Sequence, residues 1–463
     1  MQLSGKKIAV VGLGASGTAV AAFLARRGAV VTATDSAHEA HLSPTALALR
    51  EKGIRLELGG NRPEVFAEAD MVVISPGVPH DAAPFAACRA RGIPVLGEVE
   101  LAARFIDAPI VAITGTNGKT TTTTLVGEML RRSGIDAFVG GNIGTPLISY
   151  VDEGKKAAVV VAEISSFQLD TIERFRPKVA VLLNIAEDHL DRYPDLDAYA
   201  RSKARIFENQ GPDDFAVLNG DDDRLARMAG DLSARKLFFG RVDAGAPPLD
   251  AEGALISDAS LIFRTRWTAS GPDSERAGVP CSAIKLFGRH NIENAAAAGL
   301  ATLAVGGRMA AVADTLGEFG GLPHRLEFVA AVGGVRYYDD SKATNVDAVH
   351  RAIECFEAPI VLLLGGRNKR GDFRLLEESV RRRVKQLVLF GEAGREIAAA
   401  LGGAARIRHA QSMAEAVAAA GSIAVPGDIV LLAPGCASFD MYENYARRGE
   451  DFRRHVERRA RAN

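Results

Sequence analysis

The chain has 463 residues, 47% of them apolar and 24% charged, with a net charge of −1. That length exceeds one ordinary core and implies two to four folded units, while the near-neutral balance gives no bulk electrostatic reason for a nucleic-acid or membrane partner. Cys88, Cys281, Cys355 and Cys436 stand far apart with no CxxC pair, which suits a reducing compartment and offers no zinc site. No apolar run reaches the ~18 residues of a membrane span. Strand-like IAVVG follows Gly5-Lys6-Lys7 directly, leaving no room for a signal peptide. A cytoplasmic monomer is expected.

Read in chain order, the first strand is IAVVGLG (8–14), and Ala-rich AVAAFLARRG continues as a helix. Gly12-x-Gly14-x-x-Gly17 lies between them. Glycines there let backbone approach a pyrophosphate at the positive end of the helix. Asp35 ends the next strand, where a carboxylate can accept from a ribose hydroxyl. The combination reads most simply as a dinucleotide site, but does not choose between NAD and another pyrophosphate-bearing nucleotide. MVVISPG (71–77) is a further strand and turn.

IVAITG (110–115) opens the next unit and runs into ITGTNGKTT (113–121). The ending is that of a phosphate-binding loop, yet the usual spacing needs glycine where Ile113 stands. Strand, glycine turn and helix are all present, so a shortened loop still supplies N–H groups for phosphate. Lys119 can reach the terminal phosphates and Thr120 can place a hydroxyl on Mg²⁺. Glu163 ends AAVVVAEISS (157–166), and Asp188-His189 follow VAVLLNI (179–185). Ligands of open α/β sheets sit beyond the carboxyl ends of strands, so these groups are expected to face the same phosphates. Taken singly, such a carboxylate is more often a helix cap and such a histidine structural.

A polar stretch at 241–282, with β-like LIFRTRW, reads as a small antiparallel excursion. Gly320-Gly321-Leu322-Pro323 reads as a hinge. Three more apolar runs follow, IVLLLGG (360–366), QLVLFG (386–391) and IVLLAPG (429–435). Apolar runs alternating with helical stretches mean α/β layers with parallel strands. The expected architecture is three α/β domains: Rossmann-like at 1–97, P-loop-containing at 98–322, and Rossmann-like again at 323–463.

GTNGKTT, Glu163-x-Ser165-Ser166-Phe167-Gln168, Asn184…Glu187-Asp188-His189-Leu190-Asp191 and Gly288-x-His290-Asn291-x-x-Asn294 together resemble the Mur ligases. These are ATP-dependent amide-bond-forming enzymes of peptidoglycan synthesis, related to folylpolyglutamate synthase. The resemblance implies that the loop belongs to ATP, bound by Gly115, Thr116, Asn117, Gly118, Lys119, Thr120 and Thr121. Asn291 and Asn294 would hold the adenine end, and Arg325, Asp340 and Lys342 would reach the nucleotide from across a cleft. The first domain would hold a UDP-sugar rather than NAD, through Gly14, Ala15, Ser16, Asp35, Ser36, Ser75 and Gly77. Position 37 is Ala, where some relatives carry an arginine near uracil.

Asp339-Asp340-Ser341-Lys342-Ala343-Thr344-Asn345 and Pro434-Gly435-Cys436-Ala437-Ser438-Phe439-Asp440 resemble the members of the family that add D-glutamate. No D-N-P-R run, the mark of the diaminopimelate-adding relative, occurs. The resemblance implies D-glutamate held by Thr344, Lys369, Ser438 and Phe439, with Asn142 and His189 at the UDP-N-acetylmuramoyl-L-alanine acceptor. It also implies two Mg²⁺ ions, one on Thr120 and Glu163, the other on His189 and a carbamylated Lys203. Lys119, His189 and Lys203 would be the catalytic residues of a two-step reaction through an acyl phosphate.

Overall fold

The computed structural model describes residues 1–60, 63–241, 252–265 and 277–462. All eight apolar runs form strands, and they lie in three separate sheets. The first sheet holds β1 (Lys7–Val11), β2 (Val30–Asp35), β3 (Arg55–Leu58), β4 (Met71–Ile74) and β5 (Val95–Gly97), all parallel, in the order β3-β2-β1-β4-β5. Strand order reverses at β1, which pairs with β2 on one side and β4 on the other. The crevice beyond their carboxyl ends is where such sheets take ligands, and the glycine turn and Ser75 meet there.

The middle sheet comprises β6 (Ile110–Thr114), β7 (Ala137–Gly141), β8 (Val159–Glu163), β9 (Val179–Leu182), β10 (Phe215–Asn219), β11 (Arg235–Arg241), β12 (Gly253–Ile256), β13 (Ser260–Arg264) and β14 (Ala277–Pro280). Its order is β14-β13-β12-β11-β10-β9-β6-β8-β7. β6 lies between β8 and β9, all parallel, with Ile113 opposite Glu163 and Thr114 opposite Leu182. Register alone therefore sets the phosphate-loop turn, Glu163 and the Asn184–His189 loop side by side. The antiparallel excursion is present as β12–β14 at one edge of this sheet; the end of LIFRTRW falls outside the described residues.

The third sheet contains β15 (Glu327–Val332), β16 (Val335–Asp339), β17 (Ile360–Gly365), β18 (Val384–Phe390), β19 (Arg406–His409) and β20 (Ile429–Leu432), ordered β15-β16-β20-β17-β18-β19. β15 and β16 are an antiparallel hairpin, turned by Gly333 and Gly334 at φ 58° and 79°, angles that suit glycine in a hairpin turn. The other neighbours are parallel. Because β20 lies between β16 and β17, the loops carrying Lys342, Ser438 and Lys369 leave the same edge.

The apolar cores divide differently from the sheets. One continuous cluster joins Phe23, Val73 and Val99 to Leu147, Phe175 and Leu182, and so runs from the first sheet into the middle one. The third sheet has two cores of its own, one around Leu362 and Val349, the other around Tyr337 and Phe452.

Candidate active site

The turn after β6 is fixed before any side chain is considered. Gly115 has φ 152° and Gly118 φ 87°. A Cβ on Gly118 would lie 2.2 Å from Asn294 Oδ1, so only glycine fits. Asn184 clamps the turn, accepting from Asn117 N–H at 2.9 Å and donating to Asn117 O at 3.1 Å. The Thr116 hydroxyl exchanges hydrogen bonds with the backbone of Ala186, donating at 3.2 Å and accepting at 3.0 Å. Asn184 lies within the motif, but nothing in its spacing announced that it would hold the loop.

Lys119 begins the following helix, Lys119–Arg132, and its ammonium donates to Gly115 O and Thr116 O at 2.8 and 2.9 Å. Lys203 reaches the same carbonyl from the Leu196–Ala204 helix, donating to Gly115 O at 2.9 Å. It is only 1% exposed and lies over the Tyr199 ring at 4.6 Å. Burial, reinforced by Lys119, holds the Lys203 amine far below the ordinary lysine value, and burial also lowers Lys119. Two ammonium groups against one carbonyl are a costly arrangement, which favours a neutral amine on Lys203.

Glu163 accepts from Asn142 Nδ2 at 2.8 Å through Oε1, while its buried Oε2 has no hydrogen-bond partner among the described residues. Such an atom costs stability unless something meets it. His189 sits with φ 56°, a strained backbone of the kind found at functional sites. Burial lowers its imidazole to about 4, against the opposing pull of Asp188, so the ring is neutral at ordinary pH. The partnerless carboxylate oxygen is a hard donor that fits Mg²⁺, and the neutral imidazole of His189 has a lone pair free to ligate.

The third sheet closes the cleft from the other side. Lys369 Nζ meets Asp188 Oδ1 at 2.6 Å, and Asn345 Nδ2 meets Asp188 Oδ2 at 3.1 Å. Asn117 donates to Asp347 at 2.8 Å, and Arg351 spans Asp347 and Glu293 at 2.9 and 3.4 Å. Burial works to raise the Asp188 carboxyl, but Lys369 and His189 outweigh it and hold it low. Asp347, Arg351 and Glu293 carry no functional mark in their sequence context, and Asp188, expected to face the phosphates, is paired with Lys369 instead. Their roles depend on contacts between distant segments.

Asn117, Asn291, Asn294, Arg325, Asp340 and Lys342 line one pocket. Asn294 donates to Asn291 at 3.0 Å. Burial lowers Arg325 against Glu163 and Asp340, takes Lys342 down to about 8, and raises Asp340 to about 7 against Arg325. Thr344 and Lys369 line a second hollow with Glu187 and Asp188, and Ser438 is buried nearby in sequence to Gly435 of that hollow. Phe439, expected at the amino acid, is 66% exposed. The ring that reaches the basic cluster is Tyr445, centred 3.9 Å from Lys342 Nζ. Buried Arg448 ties the two loops together through Ser341 O and Cys436 O at 2.8 and 3.1 Å.

In the first sheet, Gly14 caps the helix that begins with Ala15 and Ser16. Ser75 donates to Gly12 O at 2.8 Å. Ser36 follows β2, and Gly77 O accepts from Arg192 of the middle unit at 3.2 Å. The Asp35 carboxylate also accepts from Leu13 N–H and Ala37 N–H at 2.6 and 2.8 Å, so it braces the turn from the strand end. Larger hollows beside Lys7 and Arg55, and beside Arg104 and Lys178, lie at strand starts, away from these groups. The His324, Glu327 and Asp339 cluster is internally satisfied by a 2.7 Å His324–Asp339 pair and by Arg453 on Glu327.

Family models match in chain order. The Mur ligase MurD-like N-terminal domain covers residues 6–97, the Mur ligase middle domain 113–302, and the Mur ligase glutamate ligase domain 324–436. A UDP-N-acetylmuramoylalanine–D-glutamate ligase of Desulfosudis oleivorans is 51% identical over 98% of this chain and 96% of its own. Among solved structures, a pseudomurein peptide ligase type C from Methanothermus fervidus has TM-score 0.61 at 18% identity, covering 98% of this chain and 100% of that one. MurF ligase from Thermotoga maritima in complex with ADP has TM-score 0.59 at 18% identity, covering 99% and 96%. At those identities the solved structures speak for the fold alone.

Proposed function

The chain belongs to the Mur ligase family, and on that footing we propose that it joins D-glutamate to UDP-N-acetylmuramoyl-L-alanine through an ATP-dependent amide bond, in peptidoglycan synthesis. The observation that carries the reading is the convergence at one cleft. Lys119, Glu163, Asp188, His189 and Lys203 come from the middle sheet, and Arg325, Lys342 and Lys369 from the third. We take 1–97, 98–322 and 323–463 as the acceptor, ATP and amino-acid domains of a cytoplasmic monomer. No helix among the described residues is long and apolar enough to cross a membrane.

In the first step the acceptor's terminal carboxylate attacks the γ-phosphorus of ATP. The bond to the bridging oxygen breaks, giving an acyl phosphate and ADP. Two anions meet there, so charge must be neutralised and atoms held in line. Lys119, freed from its loop carbonyls, is placed for the terminal phosphates, with N–H groups of Gly115–Thr121 around them. Asn291 and Asn294 hold the adenine end, and Arg325, Asp340 and Lys342 close over the nucleotide. The acceptor lies across the two sheets, its UDP at Gly14, Ala15, Ser16, Asp35, Ser36, Ser75 and Gly77, and its muramoyl end at Asn142 and His189.

In the second step the amine of D-glutamate attacks the acyl carbon, loses a proton, and phosphate leaves. Lys369 orients a glutamate carboxylate, with Thr344 and Ser438 beside it. For this the ammonium must exchange Asp188 for substrate. Phe439 flanks the amino acid at the exposed rim.

Thr120 and Glu163 would hold one Mg²⁺; His189 and carbamylated Lys203 would hold a second. When bound, the ions neutralise phosphate charge. Carbamylation forms an N–C bond between the neutral Lys203 amine and CO₂ and releases one proton. The buried, proton-poor amine supports it. ADP release decides the function: it should require both UDP-N-acetylmuramoyl-L-alanine and D-glutamate, and fail with L-glutamate or D-aspartate. Equal turnover with all three amino acids would defeat the assignment.

A further inference from the structure

Glu98 opens the Glu98–Ala103 helix directly after β5, at the passage from the first sheet to the middle one. It is only 1% exposed. Its Oε1 accepts from Ile148 N–H at 2.7 Å, and Leu147 N–H also stabilises the charged form. Those are the first two amides of the Leu147–Glu153 helix, whose own N-cap is Pro146 and brings no side-chain acceptor. Amides at a helix start are otherwise without partners. The missing cap thus comes from a residue 50 positions away. Oε2 of the same carboxyl is buried with no partner among the described residues. Burial, opposed by the two amides, takes the group up to about 7.

The capped helix is the far end of a short, stiff connection. Its near end is Asn142, which donates its N–H to Glu163 O and its Nδ2 to Glu163 Oε1, both at 2.8 Å. Between them, Gly141 N–H meets Thr145 O at 2.9 Å. Cβ atoms added at Gly140 and Gly141 would lie 2.4 and 2.5 Å from Thr145 O and Glu163 O, so the loop is pressed onto β8 with no slack. Arg26 from the first unit also grips this helix, with Nε 2.9 Å from Asp152.

We propose that Glu98 is a positioning residue that, by capping the Leu147–Glu153 helix, sets the 142–146 loop for the acceptor substrate and orients Glu163 through Asn142. This rests on the function proposed above, which puts Asn142 and Glu163 at the acceptor and the metal. Glu98 touches neither itself. It ties the start of the Glu98–Ala103 helix to the reacting end of the middle unit.

The test is made on the full chain with Glu98→Ala and Glu98→Gln. In Glu98→Ala, amide hydrogen exchange should accelerate across 142–149 and not in the third unit. KM for UDP-N-acetylmuramoyl-L-alanine should rise about tenfold, with KM for D-glutamate unchanged. Glu98→Gln keeps a carbonyl acceptor and should recover most of both effects. Unchanged exchange in 142–149 overturns the proposal. So does faster exchange with an unchanged KM, since Glu98 would then serve the fold alone. If the wild-type chain makes no ADP with these substrates, the function falls separately. Calorimetric affinity for the UDP-acceptor then takes the place of KM in judging Glu98.

Discussion

The middle unit has two junctions, and they are built from different materials. Towards the first unit it shares an apolar core, and the Glu98–Ala103 helix that leads out of that unit is anchored on the middle one by buried carboxylates that cap the middle unit's backbone amides. Glu98 takes Ile148 N–H, and Glu100 takes the amides of Glu173, Arg174 and Phe175, each at 2.9 Å. Towards the third unit the cores are separate. Contact passes instead through side-chain pairs: Lys369–Asp188, Asn117–Asp347 and Arg351–Glu293. Opening the first junction would expose apolar surface to water. Opening the second exchanges ion pairs for water, which costs little when the groups are solvated afterwards. The first junction is expected to hold as a joint and the second to open and close about the Gly320–Pro323 turn, where Gly321 adopts φ 107°. A closure suits a reaction whose acyl phosphate must be kept from water.

If the middle unit is the fixed reference, groups rooted in it carry the largest losses. Lys203→Ala should lower kcat about 10³-fold, and millimolar short carboxylates should restore part of it. Undiminished kcat in the variant would mean that the buried amine plays no part in the chemistry. Across the closure, Lys369→Ala should raise KM for D-glutamate about 100-fold and leave ATP affinity unaltered. A loss shared equally among all three substrates would indicate that Lys369 serves closure rather than recognition. Smaller again is Arg351→Ala, which breaks the links to Asp347 and Glu293. Nucleotide affinity should fall about fivefold, and the contraction seen by small-angle scattering on adding ATP analogue and acceptor should shrink. Scattering profiles that are identical with and without ligands, in wild type as well, would abolish the distinction between the two junctions.

Much of this could be read from the chain because the signals are local. Apolar runs such as VAVLL fit central parallel strands better than half-exposed antiparallel ones, and glycine turns mark where those strands end. Lys119, Glu163 and His189 were legible because each follows a strand immediately, and parallel register gathers such ends. What escaped depends on distance. Glu98 carries no mark in its own segment, since its partner amides lie 50 residues on. Asp188 is legible as a strand-end group facing the phosphates, but its pairing with Lys369 spans 181 positions. At the C-terminal loops, the contact of Tyr445 with Lys342 spans 103 positions and has no mark in the sequence. Asp35 was correctly placed at a strand end, yet nothing in the sequence foretold that backbone amides would occupy it.

The smallest effect belongs to the fixed joint and is a matter of pH. Glu98 is surrounded by the backbone amides of Leu147 and Ile148. Glu100 on its own helix is turned to other amides, and Arg26 and Asp152 pair with each other at the rim. Its carboxyl, ordinarily at 4.5, is raised to about 7 by burial. Between those values the folded chain keeps a proton that the unfolded chain has lost. The folded state therefore loses stability as pH rises through that window, and the contribution is whole only below it. Glu98→Gln cannot titrate and lacks this slope. The melting temperature of wild type minus that of the variant should fall by about 2 °C between pH 5 and pH 8. A difference that stays level, or grows with pH, would mean that Glu98 is ionised throughout and held by more than two amides. The first junction would then be a charged contact like the second, and the contrast between joint and closure would rest on the shared apolar core alone.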